Sequence, residues 1–136
     1  MRSDLLSRQV AVGIDLATAL PVVSGDRNQL QQVLLNLVIN GCDAMDGEET
    51  DRRLLVRTQM TIDGNVEVSV IDRGAGIPLA NLERIFEPFV TTKSTGMGLG
   101  LAICRSIVEA HGGRLWATNN VDCGATLHCE LPARSD

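Results

Sequence analysis

The chain has 136 residues, 44% of them hydrophobic, and a formal net charge of −5 with acidic and basic residues scattered. That length suits one compact core, and the absence of any Lys or Arg block argues against a nucleic-acid surface. With two Phe, one Trp and no Tyr, the core must be aliphatic, and the stacking platforms used on single-stranded nucleic acid are missing.

In chain order, residues 9 to 24 read as a strand or two broken by Pro21. A helix is predicted from Arg27 to Met45, with Asp26 as its cap and Gly47 to end it. Leu54 to Met60 and Val66 to Ile71 alternate as paired strands joined by a turn at Asp63-Gly64-Asn65. The stretch Arg73 to Gly98 is irregular apart from a short helical piece around Leu79 to Ile85, and a loop of that length in a small domain is usually functional. A second helix follows from Leu99 to Ala110, stopped by His111-Gly112-Gly113, and then two strands, Arg114 to Thr118 and Ala125 to Leu131. This order predicts an α/β (α+β) two-layer sandwich, a mixed sheet with helices on one face. Apolar stretches such as Val33 to Ile39 are too short to span a bilayer, and Met1-Arg2-Ser3-Asp4 leads into no signal-peptide core. A cytoplasmic domain without membrane insertion is therefore expected. Cys42, Cys104, Cys123 and Cys129 sit at no metal-ligand spacing and are expected to be free thiols.

Three segments carry chemistry. On the first helix, a 100° advance per residue gathers Leu30, Val33, Leu34, Leu37, Gly41, Ala44 and Met45 into an apolar face, with Leu35, Ile39 and Cys42 on the opposite flank. Between them runs a polar stripe of Asn36, Asn40 and Asp43. It is either a seam satisfied by backbone and water or the floor of a ligand site. Amide oxygens suit a hard cation such as Mg²⁺, held jointly with substrate phosphates. In Val66 to Asp72, alternation puts Asp72 on the inward face with the valines. That carboxylate can cap its own turn or accept a hydrogen bond from an exocyclic amine such as that of adenine. Gly74 and Gly76, just after it, allow positive φ and close approach to the backbone. Gly96-Met97-Gly98-Leu99-Gly100-Leu101 opens the second helix, where free N–H groups favour phosphate. It is neither a Rossmann fingerprint nor a Walker A loop, and packing of helix on sheet is the alternative use for its glycines. Lys93, just before these glycines, either reaches a phosphate as a point charge or is a solvated surface lysine.

Taken together and in this order, the segments resemble the catalytic ATP-binding domain of bacterial sensor histidine kinases, within the superfamily of gyrase, Hsp90 and MutL. Gly25-Asp26 through Met45 resembles the N box, Asp72-Arg73-Gly74-Ala75-Gly76-Ile77 the first glycine box, Arg84 to Phe89 the F box, and Gly96 to Leu101 the second glycine box. The resemblance implies that Asp72 binds the adenine amine, Gly74 and Gly76 admit the base, and Ile77 packs beside it. It implies Asn40 as a Mg²⁺ ligand with Asn36 assisting at metal or phosphate. Gly96, Gly98, Gly100 and Leu101 would line the phosphates with Lys93. Phe86 and Phe89 would anchor a lid, about 73 to 98, to the sheet. Thr126 matches a threonine that supports the adenine pocket, although alternation puts it opposite Ala125, Leu127, Cys129 and Leu131.

Hydrolytic members of the superfamily carry a glutamate where this chain has Asn36, an amide that cannot act as a base. The resemblance therefore implies a domain that retains Mg-ATP and gives its γ-phosphate to a histidine supplied elsewhere, by positioning and charge neutralisation. Neither His111, at a helix end, nor His128, on the outward side of the last strand, suits that role. The expected partners are a dimerisation and phosphoacceptor domain outside these 136 residues and a response regulator downstream, with the isolated domain monomeric. The Asn40-to-Met45 ending resembles kinases coupled to PAS sensor domains. Two alternatives share the pocket: a stand-alone protein-serine kinase of the anti-sigma-factor type, and a silent nucleotide-binding module.

Overall fold

The computed structural model describes residues 10–45, 53–87 and 100–133. In chain order the elements are β1 (Ala11–Asp15), α1 (Arg27–Ala44), β2 (Arg53–Met60), β3 (Val66–Ile71), two 3₁₀ turns (Leu79–Asn81 and Arg84–Phe86), α2 (Gly100–Ala110), β4 (Arg114–Asn119) and β5 (Ala125–Leu131). The sheet runs β1-β2-β3-β5-β4. β1 pairs parallel with β2, and the other pairings are antiparallel, with Val56 opposite Val70, Val70 opposite Leu127, and Ala117 opposite Leu127. This is the mixed sheet expected from the sequence, and its helix-facing side carries Leu54, Val70, Leu127, Cys129, Leu115 and Ala117, all buried. Their alternation produces the layer, because every second side chain meets the helices. The other side carries Glu67, Trp116 and His128.

The start of α1 and the end of α2 have local causes. Asp26 is extended and its carboxylate accepts the Gln29 N–H at 3.1 Å, capping α1 as predicted. At the end of α2, Gly112 takes φ +80° and the Gly113 N–H reaches back to the Val108 carbonyl at 2.9 Å, a left-handed stop. His111, the residue before Gly112, joins the two helices. Its Nδ1 lies 2.8 Å from the Ile107 carbonyl, and its Nε2 accepts the Asp26 N–H at 3.0 Å. The ring fills the space beside Gly25, where a Cβ would stand 2.5 Å from it. A glycine in front of the cap is therefore a packing requirement.

Several details differ from the sequence reading. Of the stretch 9 to 24, among the described residues only Ala11–Asp15 forms a strand; a proline lacks the N–H a second strand would need. The piece around Leu79 to Ile85 is two 3₁₀ turns instead of one helical segment. On α1 the buried residues are Val33, Leu37, Val38, Gly41 and Cys42. Cys42, placed on the opposite flank by periodicity, is 1% exposed, whereas Leu34 is 40% exposed. The cause is tertiary. α2 packs along one side of α1, with the Cys104 thiol 3.9 Å from the Val33 carbonyl, and the N-terminal half of α1 leaves Leu30 and Leu34 along an open apolar groove with Val68, Cys129 and Leu131. Gly47 lies outside the described residues. All four cysteines are free thiols, only Cys123 being exposed, and no helix among the described residues is long and apolar enough to cross a membrane.

Candidate functional site

Between the C-terminal half of α1, the end of β3 and the start of α2 lies a cavity of about 310 Å³, at the lower end of the range for small-ligand sites. One wall is α1, presenting Asn40, Asp43 and Ala44; the floor is Asp72 with Ala125 and Leu127 of β5. Ala75, Gly76, Ile77 and Pro78 form another wall, and the two 3₁₀ turns and α2 complete the lining with Asn81, Ile85 and Leu101.

Asp72 is 4% exposed. Its N–H continues the sheet ladder to the Ala125 carbonyl at 2.9 Å. Its Oδ1 accepts the Gly74 N–H at 2.9 Å and the Ala125 N–H at 3.1 Å. The carboxylate thus caps its own turn and also faces the cavity, so the two readings of the sequence are compatible in one residue. Gly41 brings α1 down onto this point: a Cβ there would stand 2.5 Å from Leu54 and 3.8 Å from the Asp72 Cβ.

Among the other expected site residues, the structure brings Asn40, Asp72, Gly76, Ile77 and Leu101 to one cavity. Gly74 is not among the residues lining the cavity. It is buried behind the wall, and a Cβ on it would stand 2.2 Å from the Ala44 carbonyl, so its small size admits α1. Gly76 does border the cavity, at φ +85°. Asn36 is absent from the cavity lining; its side chain lies beside the Cys104 thiol of α2, whose pKa is raised by burial. Thr126 is buried on the outward side of β5 and donates its hydroxyl to the Asn120 side chain. Gly100 is the exposed first residue of α2. Lys93, Gly96, Gly98 and Phe89 lie outside the described residues. Phe86 is buried, and the Arg105 guanidinium stands 4.6 Å from its ring centre, so its aromatic anchor point is α2 as well as the core. Sequence reasoning passed over Ala125 and Leu127 as site residues, although the alternation that turned Thr126 outward implies that they face inward.

Residues 25–135 match the profile of the histidine kinase-, DNA gyrase B- and HSP90-like ATPases. The chain belongs to that family. It is 43% identical over 129 residues to the sensor protein FixL of Bradyrhizobium diazoefficiens, covering 95% of this chain and 25% of FixL. Full-length ShkA, solved in complex with AMPPNP, superposes with a TM-score of 0.83 at 29% identity, over 98% of this chain and 28% of ShkA. The histidine kinase ThkA, solved in complex with the response regulator TrrA, superposes with a TM-score of 0.78 at 30% identity, over 98% of this chain and 37% of ThkA. The chain thus spans about a quarter to a third of these relatives. It is a histidine-kinase-type ATPase domain of the two-component sensor kinases, and ATP is the nucleotide its family binds.

Proposed function

We propose that this domain binds Mg-ATP and presents the γ-phosphate to a histidine on a phosphoacceptor domain, in a relay that continues to a response regulator. The observation that carries the reading is the buried Asp72 carboxylate at the floor of a cavity whose facing wall is the Asn40 side of α1. A carboxylate there accepts from the adenine 6-amine, with Ile77 against the base. Asn40, on the α1 wall of the same cavity, offers an amide oxygen to the phosphates.

Among the described residues no three His, Cys, Asp or Glu side chains form a metal site. In the proposed reading the cation arrives with the nucleotide, held partly by phosphate oxygens and water. Asn40 would hold Mg²⁺ with the phosphates, and the metal would supply charge neutralisation during transfer. Gly100 and Leu101, with Gly96, Gly98 and Lys93 before them, are the proposed phosphate-side residues, in a lid running from the Asp72 loop to α2. Asn36, one turn before Asn40 on α1, is an amide and gives no base for activating water. His111 and His128 are both engaged in hydrogen bonds within the fold, which supports an acceptor histidine on another domain.

Isothermal calorimetry with ATP and ADP, with and without Mg²⁺, is expected to show Mg-dependent binding, and a phosphate-release assay to show little turnover. Radiolabelled ATP mixed with this chain and a histidine-bearing helical domain should label that histidine. Binding without label in that mixture would identify a silent nucleotide module, and brisk hydrolysis by the chain alone would contradict the role given to Asn36.

A further inference from the structure

The glycine loop from Asp72 to Ile77 borders the cavity, yet the asparagines that fasten it come from the end of β4 and the turn that follows. Asn119 grips Ile77 at both backbone groups. Its Oδ1 accepts the Ile77 N–H at 2.7 Å, and its Nδ2 donates to the Ile77 carbonyl at 2.8 Å. Asn120 takes the other end, its Nδ2 donating to the Asp72 carbonyl at 2.9 Å and to the Cys123 carbonyl at 3.0 Å. Asn120 is itself oriented by the Thr126 hydroxyl, which donates to its Oδ1. The turn is shaped to lie against the loop: Gly124 has φ +82°, and a Cβ there would stand 2.2 Å from the Asp72 carbonyl oxygen. A Cβ on Gly76 would meet Asn119 Oδ1 at 3.0 Å.

The geometry points to Asn119 and Asn120 as positioning residues that hold the base-receiving loop in its bound shape before nucleotide arrives, with Thr126 acting through Asn120. This rests on the nucleotide reading above. The physical reason is that a glycine-containing loop has many accessible conformations, and ordering it on binding would cost affinity that a preformed loop keeps. Among the described residues, Asn119 supplies the side-chain hydrogen bonds to the Ala75–Ile77 backbone. Two neighbouring residues at a strand end point apart, and here that divergence lets adjacent side chains reach opposite ends of one loop. The clamp would fix Asp72 against the 6-amine, so its effect should fall on base discrimination.

The test compares ADP with inosine diphosphate, whose base carries an oxygen where adenine carries the amine. In the unaltered chain ADP should bind more tightly. Asn119→Ala and Asn120→Ala should each lower ADP affinity by about tenfold, the scale set by losing one or two hydrogen bonds, and should narrow the ADP-to-IDP ratio. Asn119→Asp keeps the acceptor for the Ile77 N–H and loses the donor, and should recover part of the loss. Thr126→Val should reproduce Asn120→Ala in weaker form. Amide exchange followed by NMR should show the Ile77 N–H losing protection in Asn119→Ala without nucleotide present. Faster exchange with an unchanged ratio would overturn the positioning role and leave a structural one, and unchanged exchange with an unchanged ratio would overturn the clamp altogether. Failure of the unaltered chain to bind ADP would show before any variant is made and would remove the nucleotide reading together with the role built on it.

Discussion

At the scale of single residues, Asp72 has two kinds of partner. Its Oδ1 holds the Gly74 and Ala125 amides, and its carboxylate faces the cavity. Asp72→Asn keeps an oxygen able to accept both amides, so the fold should persist with a modest loss of stability. In the proposed role the amide presents an N–H where the carboxyl would accept from the base, and leaving such a group unsatisfied costs roughly 1–3 kcal/mol. ADP affinity measured by calorimetry is expected to drop by one to two orders of magnitude, about what that energy implies, while the circular dichroism spectrum stays unchanged. The inward placement of Asp72 was legible because a period of two leaves no choice of face. The roles of Asn119 and Asn120 were not legible, because their partners lie about 40 residues away and no local pattern encodes such a pairing.

At the scale of elements, the site depends on how closely α1 approaches the loop after β3. Gly41 and Gly74 are the points of contact, one against Leu54 and the other against the Ala44 carbonyl. At Gly74 the obstacle to a larger side chain is backbone, which cannot rotate away. Gly74→Ala should therefore destabilise the chain by about 1–3 kcal/mol, the usual cost of overpacking, and weaken nucleotide binding by pushing the loop off α1. Urea denaturation and ADP titration would measure the two effects, and an unchanged urea midpoint would show that the contact is not constraining. The first helix was predicted almost to its ends, since a cap and a periodic pattern are local signals. Its buried arc was misjudged at Leu34 and Cys42, because the arc is set by where α2 and the sheet make contact.

For the whole molecule, the sheet face away from the helices contains a cross-strand pair that ties stability to pH. His128 Nδ1 lies 2.8 Å from Glu67 Oε2, and Ser69 donates to the same oxygen at 3.0 Å. Trp116 stacks on the imidazole at 4.9 Å between ring centres, nearly parallel. Burial works to raise the Glu67 pKa, but the hydrogen bonds from His128 and Ser69 and the imidazole charge together hold it below the ordinary 4.5. A depressed carboxylate stabilises the fold above its unfolded value and loses that contribution as pH falls through the folded value. Glu67→Gln should thus be less stable than the parent at neutral pH, and the two should converge below about pH 4.5 in chemical denaturation across the acid range. A constant difference at all pH values would mean that the effect is packing and not ionisation. By itself, the sequence determined the order of elements, the inward Asp72, the outward Thr126 and the capped first helix, because caps, glycine stops and periods of 2 and 3.6 act over a few residues. The tertiary structure alone decided which glycines admit a helix and which border the cavity. It also turned Asn36 toward Cys104 and made the β4–β5 turn the support of the glycine loop, since each of these depends on groups that meet only when the chain has folded.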